Sequence, residues 1–222
     1  MRFVWLHGFA SGPGSSKGQY VKSRLAERGV ELAIPDLNDR SFFFLTVSRM
    51  LAQTDGLTEQ ARPVVLFGSS LGGFTAATWA ATRPLRCAAL VLLAPAFDLA
   101  PRWQARTSEP DLARWRATGR LAFDHYAYGR KEDLSIGFLD DAMKYDPYPL
   151  PDCPTLVIQG LKDDVVAPEL AREFTRRMQR KASGASITLV ELDQGHELNA
   201  DLPGLWKILE GFLQPWLPRP TP

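Results

Sequence analysis

The sequence predicts an α/β fold, in which a mainly parallel sheet is flanked by helices on both faces. Two observations indicate this class. Short apolar segments alternate with amphipathic segments along most of the 222 residues, and this order is typical of strands joined by helical crossover connections. The apolar segments are hydrophobic throughout rather than at every second residue, as expected of strands buried on both faces.

The first half of the chain alternates strands and helices in a regular order. Ser15 or Ser16 can cap the first helix, and Gly29 can end it. Pro35 and Pro95 end two of the strands, because proline lacks the amide hydrogen that a strand ladder needs. The predicted strands are 3–6, 30–34, 63–67 and 87–93, and the predicted helices between them are 17–28, 42–53 and 72–82.

The second half of the chain resumes this order after an interruption. Strands 154–159 and 187–192 are again apolar, and helices 168–182 and 203–213 follow them. The interrupting segment, 98–152, has about 55 residues and no clear strand, and a structureless loop of that length would be unusual in a compact domain. We therefore interpret 98–152 as a small helical cap insert within a single domain that covers 1–222.

The insert is rich in aromatic residues, which allow two interpretations. They can line a pocket for a substrate, or they can pack the insert onto the body of the domain. The aromatic residues concerned are Trp103, Trp115, Phe123, Tyr126, Tyr128, Phe138, Tyr145 and Tyr148.

Composition excludes several classes of protein. The formal net charge is only +1, which argues against nucleic-acid binding through bulk charge. Cys87 and Cys153 form no CxxC motif and the three histidines are far apart, so neither a disulfide framework nor a zinc site is expected. No apolar run approaches the roughly 20 residues that span a bilayer. We expect a cytoplasmic protein without a membrane span.

The segment 68–72 carries the strongest chemical signal. It reads GSSLG, which places Ser70 at the centre of a G-x-S-x-G pattern between a predicted strand and a predicted helix. A serine nucleophile at such a sharp turn needs glycine at both outer positions, because the backbone is crowded there. The turn presents the hydroxyl group at the carboxyl edge of the sheet, beside a helix N-terminus that favours developing negative charge.

A nucleophilic serine needs a base and an acid that orients the base. His196 follows the last predicted strand and is the best candidate base. Asp163 and Asp164 follow the preceding strand; we favour Asp163, which lies three residues after Gly160. Asp98 is a more distant alternative. The loops at the carboxyl edge of a parallel sheet are the usual place for such a site.

The oxyanion formed during acyl transfer needs two backbone N–H donors. We expect one from Leu71, directly after the nucleophile, and the other from Phe9 in the loop after the first strand. Gly8 allows that loop to approach the site closely. His7 is then interpreted as a residue that braces the loop, and a role as general base is the less favoured alternative.

These residues resemble those of the α/β-hydrolase superfamily, and more narrowly those of small bacterial YqiA-like serine esterases. The narrower similarity rests on segment 7–17 (HGFASGPGSSK), on segment 68–73 (GSSLGG) and on the late Gly195-His196 pair. Segment 160–166 (GLKDDVV) is also similar to that of mitochondrial acyl-thioesterase and acyl-glucuronide esterase relatives. The resemblance implies a Ser70–Asp163–His196 triad that acts on carboxylic esters or thioesters.

The sequence therefore predicts a serine hydrolase that cleaves carboxylic esters through an acyl-enzyme. An acyl-thioesterase or lipid deacylase is the alternative, and a non-catalytic binding protein on the same fold is a distant one. The reaction requires no metal and no organic cofactor. The expected partner is a small-molecule ester or thioester.

Overall fold

The computed structural model describes residues 1–39, 41–59, 63–181 and 184–218. Within these ranges a central sheet, two flanking layers of helices and a two-stranded hairpin are formed. The strands are β1 Arg2–Leu6, β2 Leu32–Ala33, β3 Val64–Ser69, β4 Cys87–Leu93, β5 Arg120–His125, β6 Arg130–Ser135, β7 Thr155–Gly160 and β8 Ile187–Leu192. The helices are α1 Ser16–Ala26, α2 Val47–Thr58, α3 Leu71–Thr82, α4 Leu99–Arg106, α5 Glu109–Thr118, α6 Gly137–Ala142, α7 Pro168–Arg180 and α8 Leu202–Leu213.

The central sheet has the strand order β2-β1-β3-β4-β7-β8, and neighbouring strands pair in parallel. The predicted α/β class is thus confirmed. The register aligns Ser69 with Leu93 and Gly160 with Leu192. The carboxyl ends of β3, β4, β7 and β8 therefore lie at one edge of the sheet, where the loops that follow them can meet.

The sheet is covered on both faces, as the continuous apolar strands predicted. Alternate residues of β1 show this: Val4 and Leu6 join one buried cluster, while Phe3 and Trp5 join the other. Helices α2, α3 and α7 contribute to the first cluster, and helices α1 and α8 to the second. Burial of large apolar side chains on both faces is the main source of stability for such a sheet.

Apart from shifts of one or two residues at element ends, two predicted elements outside the insert differ from the observed ones. The predicted strand 30–34 is reduced to the two residues of β2, which lies at the edge of the sheet and pairs only with β1. The predicted helix 42–53 starts later and ends later, as α2. Its first turn is fixed by Thr46, whose side chain accepts a hydrogen bond from the Arg49 amide, and a short 3₁₀ turn at Phe42–Phe44 precedes it.

The insert is not purely helical, which corrects the expectation for 98–152. It contains helices α4, α5 and α6 and also an antiparallel hairpin formed by β5 and β6. Strand β5 alternates exposed and covered residues, with Leu121, Phe123 and His125 on the covered face, whereas β6 is polar except for the buried Leu134. A search for continuous apolar runs misses such strands, because only one of their faces is buried.

Most aromatic side chains of the insert pack it onto the body of the domain. The ring of Phe9 contacts those of Trp103, Phe123 and Phe138 at centroid distances of 4.9, 5.5 and 6.0 Å. The hairpin tip is also tied to the same loop, because the Ala127 amide donates a hydrogen bond of 3.2 Å to the Ala10 carbonyl. The packing interpretation therefore describes most of these residues.

One buried side chain of the hairpin has no polar partner. His125 is 1% exposed, its ring stacks on Tyr128 at 3.8 Å, and it meets the edge of Phe42 at 4.7 Å. Neither of its ring nitrogens is hydrogen-bonded within the described ranges. Burial lowers the pKa of His125, so the folded protein resists protonation of this ring more than the unfolded chain does.

We expect His125→Phe to raise the free energy of unfolding by about 1 kcal/mol, because an unpartnered buried polar ring is replaced by an apolar ring of similar shape. The gain should be larger in mild acid. The unfolded histidine takes up a proton below about pH 6.5 while the folded one resists it, so wild-type stability falls as the pH decreases through that value. Denaturant unfolding at about pH 7.5 and about pH 5.5 measures both effects.

The matched control is Tyr126→Phe at the same turn, where the side chain is 83% exposed. It should leave stability and its pH dependence unchanged. A loss of stability in His125→Phe at both pH values would mean that the imidazole has a polar partner in solution.

Candidate active site

Ser70 lies at the tight turn between β3 and α3. Its backbone has φ 52° and ψ −116°, a conformation that few residues other than glycine adopt. A Cβ atom added at Gly68 would lie 2.3 Å from the Gly72 carbonyl oxygen, and one added at Gly72 would lie 2.1 Å from the Leu6 carbonyl oxygen. Glycine is thus required on both sides of Ser70, as the sequence pattern predicted.

His196 follows β8 and reaches Ser70 from the other half of the sheet. Its Nε2 atom lies 3.0 Å from Ser70 Oγ, and its Nδ1 atom lies 2.8 Å from Asp163 Oδ2. An ionised carboxylate can only accept a hydrogen bond, so the ring proton is on Nδ1. This N–H group donates the hydrogen bond to Asp163. Nε2 is then free to accept the hydroxyl proton of Ser70.

Asp163 follows β7 and is held by several donors. Its Oδ1 atom accepts hydrogen bonds from the Val165 and Val166 amides, and its Oδ2 atom accepts one of 2.8 Å from Gln159 Nε2. Burial alone would raise the pKa of Asp163, but the hydrogen bond from His196 and those from the neighbouring donors outweigh burial and lower it. The carboxylate is therefore ionised at neutral pH.

The structure separates the three candidate acids. Asp163 contacts His196, whereas Asp164 is exposed at the surface and Asp98 lies at the start of α4. Within the described ranges neither Asp164 nor Asp98 bonds to the imidazole. The favoured residue is the one that the fold brings to His196.

The loop after β1 approaches the nucleophile closely. A Cβ atom at Gly8 would lie 3.3 Å from Ser70 Cβ, so this loop runs directly beside the reacting hydroxyl group. The Phe9 amide donates to no other described residue. Leu71 is the first residue of α3, and its amide is one of the helix donors without a partner in the helix. Both expected oxyanion donors thus lie in segments that run beside Ser70, and neither has a backbone acceptor among the described residues.

His7 braces this loop and does not contact Ser70. Its Nδ1 atom donates to the Gly8 carbonyl oxygen at 2.9 Å, and its Nε2 atom accepts the Leu37 amide at 2.9 Å. These two bonds require the neutral ring. Burial lowers the pKa of His7, although Asp36 acts in the opposite direction. The geometry agrees with the bracing interpretation.

Two residues of the site received no role from the sequence. Gln159, the penultimate residue of β7, donates a hydrogen bond to the Asp163 carboxylate. Lys17, in the first turn of α1, is 6% exposed, and its ammonium group donates to the Glu197 carbonyl oxygen. Lysine is almost never buried without a partner. The burial of Lys17 could not be predicted from neighbouring residues, because its partner Glu197 is 180 residues away in the sequence.

A cavity of about 610 Å³ opens at Ser70. It is bounded by the loop after β1, by the first turn of α1 and by the loop that carries His196. Of the aromatic residues of the insert, Tyr126 lines it. The residues around it are Trp5, His7, Gly8, Phe9, Ser11, Ser15, Ser16, Lys17, Ser69, Ser70, Tyr126, Val165, His196, Glu197 and Asn199.

In the part of the chain that the structure describes, no cluster of three or more His, Cys, Asp or Glu side chains is arranged to hold a metal ion. None of the helices there combines the length and the apolar character that crossing a bilayer requires.

A parallel sheet with a serine at a glycine-flanked strand–helix turn, followed by an acid and a histidine after later strands, defines the α/β-hydrolase fold. Solved structures share it. Mouse alpha/beta hydrolase domain-containing protein 10 is 19% identical, with a TM-score of 0.77 over 96% of this chain and 89% of that chain. Est1E from Butyrivibrio proteoclasticus is 20% identical, with a TM-score of 0.75 over 96% and 86%.

A third similar structure, a monoacylglycerol lipase from Paleococcus ferrophilus, is 19% identical, with a TM-score of 0.68 over 96% of this chain and 93% of that chain. The chain belongs to the uncharacterised protein family UPF0227, whose model matches residues 2–210. No protein of curated function shows a significant sequence match to it. The solved structures confirm the predicted α/β-hydrolase fold.

Proposed function

We propose that this protein is a serine hydrolase that cleaves carboxylic esters through an acyl-enzyme. The observation that carries the proposal is the pair of hydrogen bonds that joins Ser70, His196 and Asp163 at 3.0 and 2.8 Å. Nucleophile, base and orienting acid within hydrogen-bond reach of one another are the arrangement that acyl transfer needs.

In the first half of the reaction, Ser70 Oγ attacks the acyl carbon while His196 Nε2 takes the hydroxyl proton. The negative charge that develops on the acyl oxygen is stabilised by the Phe9 and Leu71 amides. The C–O bond to the leaving group then breaks, and His196 gives its proton to the departing oxygen. The products are the free alcohol and an ester between Ser70 and the acyl group.

In the second half, water replaces the alcohol. His196 takes a proton from the water, hydroxide attacks the acyl-enzyme, and Ser70 leaves with the proton that His196 returns. Asp163 stabilises the imidazolium that forms in each half. Both halves of the reaction need the neutral imidazole, because a charged ring cannot accept the Ser70 proton.

The comparisons support an ester substrate. Est1E has also been solved with ferulic acid bound, and a third similar structure is named a monoacylglycerol lipase. The cavity beside Ser70 is lined by serine side chains and Asn199 together with the rings of Trp5, Phe9 and Tyr126, so it offers an ester both polar and apolar contacts. We propose that segment 98–152 acts as a cap that closes one side of this cavity.

The test is a kcat/KM series on aryl esters and acyl thioesters from about C2 to C16. We expect a short-chain ester optimum. A long-chain or thioester optimum would support the alternative acyl-thioesterase or lipid deacylase instead. Covalent labelling by a fluorophosphonate should occur at Ser70 in the folded protein; its absence would favour a non-catalytic binding protein.

The cysteines support a reducing, cytoplasmic location for the enzyme. Cys87 and Cys153 are both free and buried. The Cys87 thiol donates a hydrogen bond to the Ala89 carbonyl oxygen, and the neighbouring Cys153 thiol together with burial raises the pKa of Cys87. Two thiols in contact stay unpaired most readily where glutathione and thioredoxin keep them reduced.

A further inference from the structure

Lys17 is a buried cation in the wall of the cavity that holds Ser70. Its side chain is 94% buried, since 6% of its surface is exposed. An ammonium group has three donor hydrogens, and one of them is used in the bond to the Glu197 carbonyl oxygen. Within the described ranges Lys17 forms no ion pair with a carboxylate, and Glu197 and Asp163 act on it only through longer-range charge interaction.

Such an arrangement is costly unless an anion completes it. Burying an ammonium group without a charged partner is strongly unfavourable. Burial lowers the pKa of Lys17, and the more distant carboxylates of Glu197 and Asp163 oppose this only in part. An anionic group placed in the cavity would supply the missing partner and the missing acceptors.

Two neutral donors beside Lys17 are also unused. Trp5 Nε1 and Ser15 Oγ are buried, and neither has a hydrogen-bond partner in the described ranges. Both residues line the same cavity. They flank the first turn of α1, because a Cβ atom at Gly18 would lie 2.8 Å from Ser15 Oγ and 3.1 Å from Trp5 Nε1.

The backbone adds to the same region. Helix α1 begins at Ser16, and its N-cap Ser15 makes no side-chain cap hydrogen bond. The free amides of a first helical turn attract anions. The helix N-terminus would not define a site by itself, but here it coincides with the buried Lys17 ammonium group and with two unpartnered donors.

We propose that Lys17, Ser15 and Trp5 form an anion-binding pocket that holds a carboxylate or phosphate group of the substrate hydrolysed at Ser70. This inference rests on the proposed esterase function. It narrows the substrate to esters that carry a negative charge, because Ser70 and Lys17 face one cavity. A neutral ester would leave Lys17 buried without a counterion.

A purely structural role for Lys17 makes a different prediction. Its bond to the Glu197 carbonyl oxygen lies directly after His196, so Lys17 could simply fix the loop that carries the base. Loss of such a brace would reduce the hydrolysis of charged and neutral esters alike. Loss of an anion partner would affect only the charged esters.

The experiment uses two matched pairs of esters. In one pair the charge is on the acyl side: 4-nitrophenyl glutarate and its neutral methyl ester. In the other it is on the leaving group: the butyrate ester of 4-hydroxybenzoate and that of methyl 4-hydroxybenzoate. The wild-type enzyme should have a higher kcat/KM for the charged ester of at least one pair. The pair that shows this preference also identifies the side of the scissile bond on which the anion lies.

Lys17→Gln removes the charge but keeps an N–H donor for the Glu197 carbonyl oxygen. We expect it to lower kcat/KM for the favoured charged ester about tenfold to a hundredfold, mainly through KM, as for loss of a hydrogen bond to a charged group. The neutral ester should change little. Lys22→Gln, which removes an exposed charge from the same helix, should leave both unchanged.

An equal loss of kcat/KM for the charged and the neutral ester of a pair would overturn the proposal and assign Lys17 a structural role in the loop that carries His196. A wild-type enzyme that does not prefer the charged ester of either pair would also overturn it. If Lys17→Gln does not fold, competition in the wild-type enzyme decides: inorganic phosphate should raise KM for the neutral ester, and a constant KM would overturn the proposal.

Failure of the proposed function has its own signature. In that case the wild-type enzyme would hydrolyse none of the four esters. Anion binding can still be measured in the Ser70→Ala protein, whose unfolding temperature should rise with inorganic phosphate. An absent shift would overturn the anion pocket, whatever the result for hydrolysis.

Discussion

Replacement of Ser70 by alanine should lower kcat by about three to six orders of magnitude. In the proposed mechanism the hydroxyl oxygen forms the acyl-enzyme, and no other hydroxyl group in the described ranges is hydrogen-bonded to His196. Without it, we expect the remaining catalysis to be direct attack by water, aided by the proposed oxyanion donors of Phe9 and Leu71. The measurement is steady-state kcat on the best short-chain aryl ester.

The fold should survive this change, because Ser70 Oγ has His196 as its side-chain partner and closes no buried structural network. Ser23→Ala, on the exposed side of α1, is the matched control and should keep the wild-type rate. Turnover within tenfold of the wild type in Ser70→Ala would mean that the observed hydrolysis arises at another site or from another protein.

Asp163→Asn should lower kcat by about four orders of magnitude. An asparagine can present its NH₂ group to His196 Nδ1, which favours the tautomer that carries its proton on Nε2. That tautomer cannot accept the Ser70 proton. The imidazolium also loses its charged partner at 2.8 Å. The measurement is kcat of the variant and of the wild type from neutral to alkaline pH. Raising the pH should not restore the wild-type kcat until the Ser70 hydroxyl group itself ionises.

Asp164→Asn is the control for this prediction, because Asp164 is adjacent in sequence, exposed, and does not bond to His196. It should retain nearly all activity. If Asp164→Asn were the damaging change and Asp163→Asn were mild, the assignment of the acid would be wrong.

The same pair of variants reports on acid stability. The pKa of Asp163 is lower in the folded protein than in the unfolded chain, where an aspartate titrates near pH 3.9. Its contribution to stability is therefore complete above that value and is lost as the pH falls through the folded pKa. Asp163→Asn should flatten the acid side of the stability curve, and Asp164→Asn should not.

Much of this architecture could be predicted, because its signals are local. A strand buried on both faces is a continuous apolar run, and the turn at Ser70 needs glycine at fixed positions. His196 could be selected because few histidines were available and its position after the last strand was informative. Asp163 and Asp164 were harder to separate, since strand ends are predicted only to within a residue or two.

Other features depend on contacts between distant parts of the chain. The hairpin lacks a continuous apolar run, because β5 covers only every second residue and β6 is polar except for Leu134. Gln159 was hidden inside an apolar strand. The burial of Lys17 is determined by the loop around Glu197 at the other end of the chain, and no neighbouring residue signals it.

Phe9 belongs to two parts of the molecule at once. Its amide is an expected oxyanion donor, while its ring packs among Trp103, Phe123 and Phe138 of the insert, and the neighbouring Ala10 is bonded to the hairpin tip. A cap that swung away to admit substrate would expose these rings and release the donor. We therefore expect that exchanging the insert for the cap of another hydrolase would change reaction rate together with substrate range.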